Sequence, residues 1–147
     1  MARSNDSYSS GAFGATHQMP LMGNAGTALL ITPQAGTSAA TKTHTTTLLG
    51  EGFQRAIVLK KLVYAITTAQ TGAGNNLDLD VYNGTTSVGS LAVTTEAALT
   101  VATSSDINST VTAGGYIRII AKSTTTASDA NSAIGRPHAT YQELFTA

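Results

Sequence analysis

The sequence predicts an all-β protein, a single β-sandwich or jelly-roll-like domain with an extended N-terminal arm. Three observations predict it. Apolar residues recur with period two in short runs, turn signals rich in Gly, Asn and Pro separate those runs by about 8 to 15 residues, and no stretch carries the period of an amphipathic helix. Thr occurs 25 times, Ala 23 and Ser 13, while Leu, Ile, Val and Phe total 30 of 147 residues. That length fits one domain with a thin core, which docking on other subunits would supplement.

Residues 1 to about 25 hold Tyr8, Phe13, Met19, Leu21 and Met22 among Ser, Gly, Ala and Asn, with neither strand nor helix period. This segment is expected to be an extended arm that orders on a neighbouring subunit instead of on its own sandwich, leaving residues 26 to 147 as the sandwich domain. Gly26 to Thr32 reads as a first strand ended by Pro33, Gln34 to Lys42 as a linker, and Thr43 to Leu49 as a weaker, Thr-rich strand.

Arg55 to Thr68 is the strongest strand, and its alternation breaks once. Ile57 and Leu59 share one parity; Leu62, Tyr64 and Ile66 share the other. A β-bulge at Lys60-Lys61 would return all five to one face; otherwise the strand is buried on both sides, or Lys60 points inward. Leu77 to Tyr82 alternates apolar residues with Asp78 and Asp80, and Asn83-Gly84 is a two-residue hairpin signal leading to a return strand over Ser87 to Val93. Leu99 to Thr103 and Ile107 to Thr112 are short candidates. Gly114-Gly115 is a turn before Tyr116 to Lys122, in which Ile117, Ile119 and Ala121 point one way. A polar loop, Ser123 to Ser132, precedes a last strand over His138 to Phe145, after Pro137.

Composition argues against several classes of function. Lys plus Arg equals Asp plus Glu at 8 each, so no basic cluster favours nucleic acid as a partner. With no Cys there is no disulfide framework or thiolate metal site. The apolar runs reach four or five residues, too short for a membrane helix, and Met1 to Ser10 lacks the apolar core of a signal peptide. Asp78-x-Asp80 before Asn83-Gly84 fails the calcium-loop spacing, having Gly89 where the bidentate Glu belongs. Gly72-Ala73-Gly74 enters a strand where a dinucleotide fingerprint needs a helix. His17, His44 and His138 lie in three separate regions without a neighbouring carboxylate pair, and no Gly-x-Ser-x-Gly elbow exists. A non-enzymatic protein without cofactor or metal is expected.

Read as one unit, Ala56 to Ile66, then Asn76-Leu77-Asp78-Leu79-Asp80-Val81-Tyr82-Asn83-Gly84, then Ala113-Gly114-Gly115-Tyr116-Ile117-Arg118-Ile119-Ile120-Ala121, resembles the capsid decoration or cement proteins of tailed bacteriophages. In that family a hydrophobic strand leads through a small-residue turn into a "LDLxVxxG" strand, and a "GxxIxIxA" strand precedes the last one. The resemblance covers roughly residues 55 to 147. Its ending differs, with Tyr141-Gln142-Glu143-Leu144-Phe145 where many members close on an aliphatic "VxVxYxP".

The resemblance implies a jelly-roll-like sandwich, commonly a homotrimer, made in the host cytoplasm and seated on the outer surface of the virion capsid, with the major capsid protein as partner. The candidate subunit contacts are Tyr8, Phe13, Met19, Leu21 and Met22 of the arm and Tyr141, Leu144 and Phe145 of the last strand. The alternative is a tail-fibre or receptor-binding head, a carbohydrate-binding sandwich, expected if Tyr82, Tyr116 and Tyr141 line one groove for stacking on sugars.

Overall fold

Residues that alternate apolar and polar favour a pleated chain with one face to bury, and among the described residues the chain forms nine strands and no helix. The computed structural model describes residues 12–22, 28–31, 40–46, 53, 55–69, 76–93, 97–124 and 133–145. The strands are β1 (Ala12–Pro20), β2 (Ala40–Thr46), β3 (Ile57–Thr68), β4 (Asn76–Asn83), β5 (Thr86–Val93), β6 (Val101–Thr103), β7 (Ser109–Val111), β8 (Ile117–Thr124) and β9 (Ile134–Phe145).

They make two antiparallel sheets. Sheet one runs β1-β9-β3, with β6 and β7 both paired to β3 beyond β9; sheet two runs β2-β8-β4-β5. The pairs nest, β1 with β9, β2 with β8, β3 with β6 and β7, and β4 with β5. Ile57, Leu59, Leu62, Tyr64 and Ile66 of sheet one join Leu77, Leu79, Val81, Ile117 and Ile119 of sheet two in one buried cluster, so the two inner faces share a core. The inward setting of Ile117, Ile119 and Ala121 matches the sequence reading.

The parity break in β3 is a bulge. Leu59 pairs with Tyr141 and Lys61 with Thr140, so two steps on β3 oppose one on β9 and Lys60 is the extra residue. The loop after β6 fits against it. The Ser104 N–H donates to the Leu62 carbonyl and the Leu62 N–H to Ser104 Oγ, both at 2.9 Å, and the Ile107 N–H donates to the Lys60 carbonyl at 2.8 Å. Lys60 Nζ donates to Asn108 Oδ1 at 2.9 Å and Lys61 Nζ meets Asp106 at 3.1 Å. The two lysine contacts are exposed and contribute little; the buried Ser104 bond contributes about 1 kcal/mol.

Several boundaries differ from the sequence reading: β2 begins at Ala40, inside the expected linker, and β8 runs on to Thr124, past the expected loop start at Ser123. The hairpin turn is Gly84-Thr85 rather than Asn83-Gly84, with Asn83 paired to Thr86 and only Gly84 at positive φ (59°). Asn83 stays in the strand because its Nδ2 donates to the Thr110 carbonyl at 2.6 Å and to Ser109 Oγ at 3.3 Å, tying β4 to β7.

The last strand starts at Ile134, so Pro137 lies inside a strand flanked on both sides. No ladder bond is broken there. The Leu21 N–H donates to the Pro137 carbonyl, and the Leu21 carbonyl, which a ladder would offer to residue 137, instead accepts from Leu29 N–H at 2.8 Å.

The expected first strand is reduced, over its described residues 28–31, to bridges at Ala28 with Met22 and at Ile31 with Gly135. Ile31 thereby continues along the edge of β9 that β1 leaves. The neighbouring contact is tight. Tyr64 is fully buried, its hydroxyl donates to the Ala133 carbonyl at 3.0 Å, burial pushes its pKa up, and Gly135 lies against its ring.

Candidate interaction surface

The N-terminal segment expected to leave its own sandwich pairs, over residues 12–20, with β9 of the same chain. Register explains this. One extra residue between Phe13 and Thr16 sets His17, Met19 and Leu21 opposite Tyr141, Ala139 and Pro137, and Leu21 is 1% exposed in the core with Met19 packed beside it. Met19 and Leu21 therefore serve their own chain's core. Met22 is half-buried at its bridge to Ala28. Phe13 stands in register with Leu144, its side chain lying outside the described residues, as does all of Tyr8.

Tyr141, Leu144 and Phe145 are half-buried. Tyr141 packs on the core and its ring lies 5.6 Å from that of His17, while the Leu144 N–H donates to the Ala56 carbonyl at 2.9 Å. Along β9 the alternation of buried and half-buried residues stops after Ala139, and residues 15–18 of β1 beside it are exposed on both faces. This end of sheet one is a ribbon only partly covered by its own chain.

The large exposed apolar side chains gather at the other end of sheet one. Residues 31, 135, 66 and 99 follow one another across it, through the Ile31–Gly135 bridge, the Ile66–Gly135 pair and the Leu99 N–H donating to the Ile66 carbonyl. Leu30, Leu99 and Val101 there are 39%, 91% and 59% exposed. Leu99 also holds φ at 62°, a left-handed conformation that costs a β-carbon residue about 1 kcal/mol or more. Replacing Leu99 by Asn, which tolerates that backbone, is expected to raise stability by about 1 kcal/mol in denaturant titration. A loss of stability would show that Leu99 makes contacts its exposure does not reveal.

The outer face of sheet two carries a row of charged side chains. Asp78, Asp80 and Tyr82 of β4 oppose Lys122, Ile120 and Arg118 of β8. Lys122 Nζ contacts Asp80 Oδ2 at 2.5 Å, and that hydrogen bond, with the carboxylate charge, holds the lysine above its ordinary pKa. The Arg118 guanidinium lies 4.7 Å from the centre of the Tyr82 ring. The two aspartates thus face a lysine; no group of three or more metal-ligating side chains occurs among the described residues.

Tyr82 belongs to sheet two and Tyr141 to sheet one, so the three tyrosines weighed for sugar stacking do not line one groove. The apolar end of sheet one and the Tyr82–Arg118 pair went unread in the sequence. The parity of Tyr82 and Arg118, opposite to their strands' buried residues, was the available signal for the second. Comparison with protein-family models, curated proteins and solved structures finds no match.

Proposed function

We propose that the chain is a structural virion protein, a decoration or cement protein that binds the outer surface of a phage head and stabilises the shell. The observation that carries this reading is the nested strand pairing. A ribbon of β1 with β9, β2 with β8, β3 with β6 and β7, and β4 with β5, folded so that alternate pairs fall in opposite sheets, supports reading the fold as a jelly roll, an architecture recurrent in viral shells. The resemblance of residues 55 to 147 to decoration proteins points the same way.

The reading includes a homotrimer. A chain with only 30 Leu, Ile, Val and Phe residues, some of them exposed, and a partly covered β1–β9 ribbon favour burial against other subunits. Mixing the purified protein with expanded capsids, and separately with host cells, tests the function. Co-sedimentation with capsids alone is expected. Attachment to cells without attachment to capsids would favour a receptor-binding head, and sedimentation as a 15.0 kDa monomer at micromolar concentration would contradict the trimer.

A further inference from the structure

Arg118 is set in an unusual way for so sparsely charged a chain. It projects from β8 on the outer face of sheet two, half-buried, with its guanidinium stacked 4.7 Å from the Tyr82 ring centre. Its Nε is enclosed and has no hydrogen-bond partner, and no side chain among the described residues pairs with its charge. The other cation of this face, Lys122, is engaged by Asp80.

An enclosed donor without an acceptor is a cost to the fold. Here that cost accompanies a gain in placement, because the guanidinium carbon is held over the Tyr82 ring. With Nε enclosed, the terminal nitrogens are what an approaching molecule meets, and two parallel N–H groups match the two oxygens of a carboxylate.

We infer that the Tyr82–Arg118 pair is a docking point for a carboxylate side chain, an aspartate or glutamate, of a protein partner. The surrounding charge selects this chemistry. Asp80 lies two strand positions from Tyr82, about 7 Å away, and Asp78 two further on. An extended polyanion laid along the face would meet those two acids, whereas a single carboxylate at Arg118 avoids them. A partner with a cation beyond its acid would complement the whole row. Arg and Tyr at a partly desolvated position are also the residue types that dominate protein–protein contact energy. This docking point stands apart from the capsid reading, since it is defined by the outer face of sheet two whatever the partner.

The test is an NMR titration of the isotope-labelled full chain with the peptide Ac-Gly-Glu-Gly-NH2, its Gln counterpart and inorganic phosphate, each into the millimolar range. The Glu peptide is expected to shift the Arg118 Nε–H cross-peak saturably and the Gln peptide to leave it in place. Arg118→Lys, which keeps the charge but loses the fork, is expected to weaken binding about tenfold or more and Arg118→Gln to abolish it, both read from the backbone amide cross-peaks of residues 82 and 118. Preserved dispersion elsewhere in both spectra identifies folded variants. Absence of a saturable shift, an equal shift by the Gln peptide, a response to phosphate alone, or unchanged binding by Arg118→Gln would each overturn the assignment.

Discussion

A chain lacking Val63 is expected to be largely unfolded at room temperature, whereas a chain lacking Lys60, three positions earlier in the same strand, is expected to fold. Both are single-residue deletions in β3, which lies between β9 and the short strands β6 and β7. They differ because of the bulge. Lys60 is the bulge residue that the register of β3 with β9 skips, so its removal leaves Leu59 opposite Tyr141, Lys61 opposite Thr140 and Leu62 opposite Ala139 in unbroken register, with their inward side chains still inward. The loss includes the Ile107 and Asn108 contacts on the other side, about 1 to 3 kcal/mol.

Removing Val63 offers no such repair. Either Tyr64 and Ile66 turn out of the core, or the bulge is consumed and Lys61 turns in while Leu62 turns out. Each large side chain taken from the core costs about 1.5 to 3 kcal/mol, so two remove most of the stability of an ordinary domain. Circular dichroism and urea titration of the two deletions check this. Equal destabilisation by both would remove the bulge from the account.

Gly135→Ala is expected to cost about 3 kcal/mol, the upper part of the usual range for overpacking a core. A Cβ at this position would meet the Ala65 carbonyl oxygen in the paired strand and lie 2.8 Å from Tyr64 Cζ. Neither neighbour can yield cheaply. The carbonyl belongs to the backbone of β3, and the ring is enclosed with its hydroxyl anchored on the Ala133 carbonyl. The urea midpoint should fall with the slope unchanged. A loss below about 1 kcal/mol would mean that β9 and β3 separate there more readily than their pairing implies.

What was legible in the sequence was local. The β3 bulge followed from five apolar residues and one change of parity, and the inward faces of β4 and β8 from strict alternation at Leu77-x-Leu79-x-Val81 and Ile117-x-Ile119-x-Ala121. What was not legible depends on partners distant in the chain. Residues 12–20 carry no period, so nothing local marks them as a strand; their order comes from β9, more than 100 residues later.

Pro137 likewise argues against a paired strand until Leu29 is seen taking the Leu21 carbonyl. The one-residue displacement of the hairpin turn needed the contact of Asn83 with β7. Among the candidate contacts, Tyr141, Leu144 and Phe145 lie half-buried on the last strand, whereas Leu21 belongs to the core by a register that the sequence does not display.

If the protein binds and stabilises an assembled shell, as proposed, the thermal rupture of expanded capsids differs with and without it. A ligand that binds only the assembled lattice stabilises it by mass action, by about 2.7 kcal/mol per site at a hundredfold excess over the dissociation constant. Calorimetry should therefore show the rupture temperature of the capsids rising with protein concentration until the surface sites are filled, while the melting of unassembled capsid subunits stays where it was. A rupture temperature that does not move at saturating protein would contradict the account.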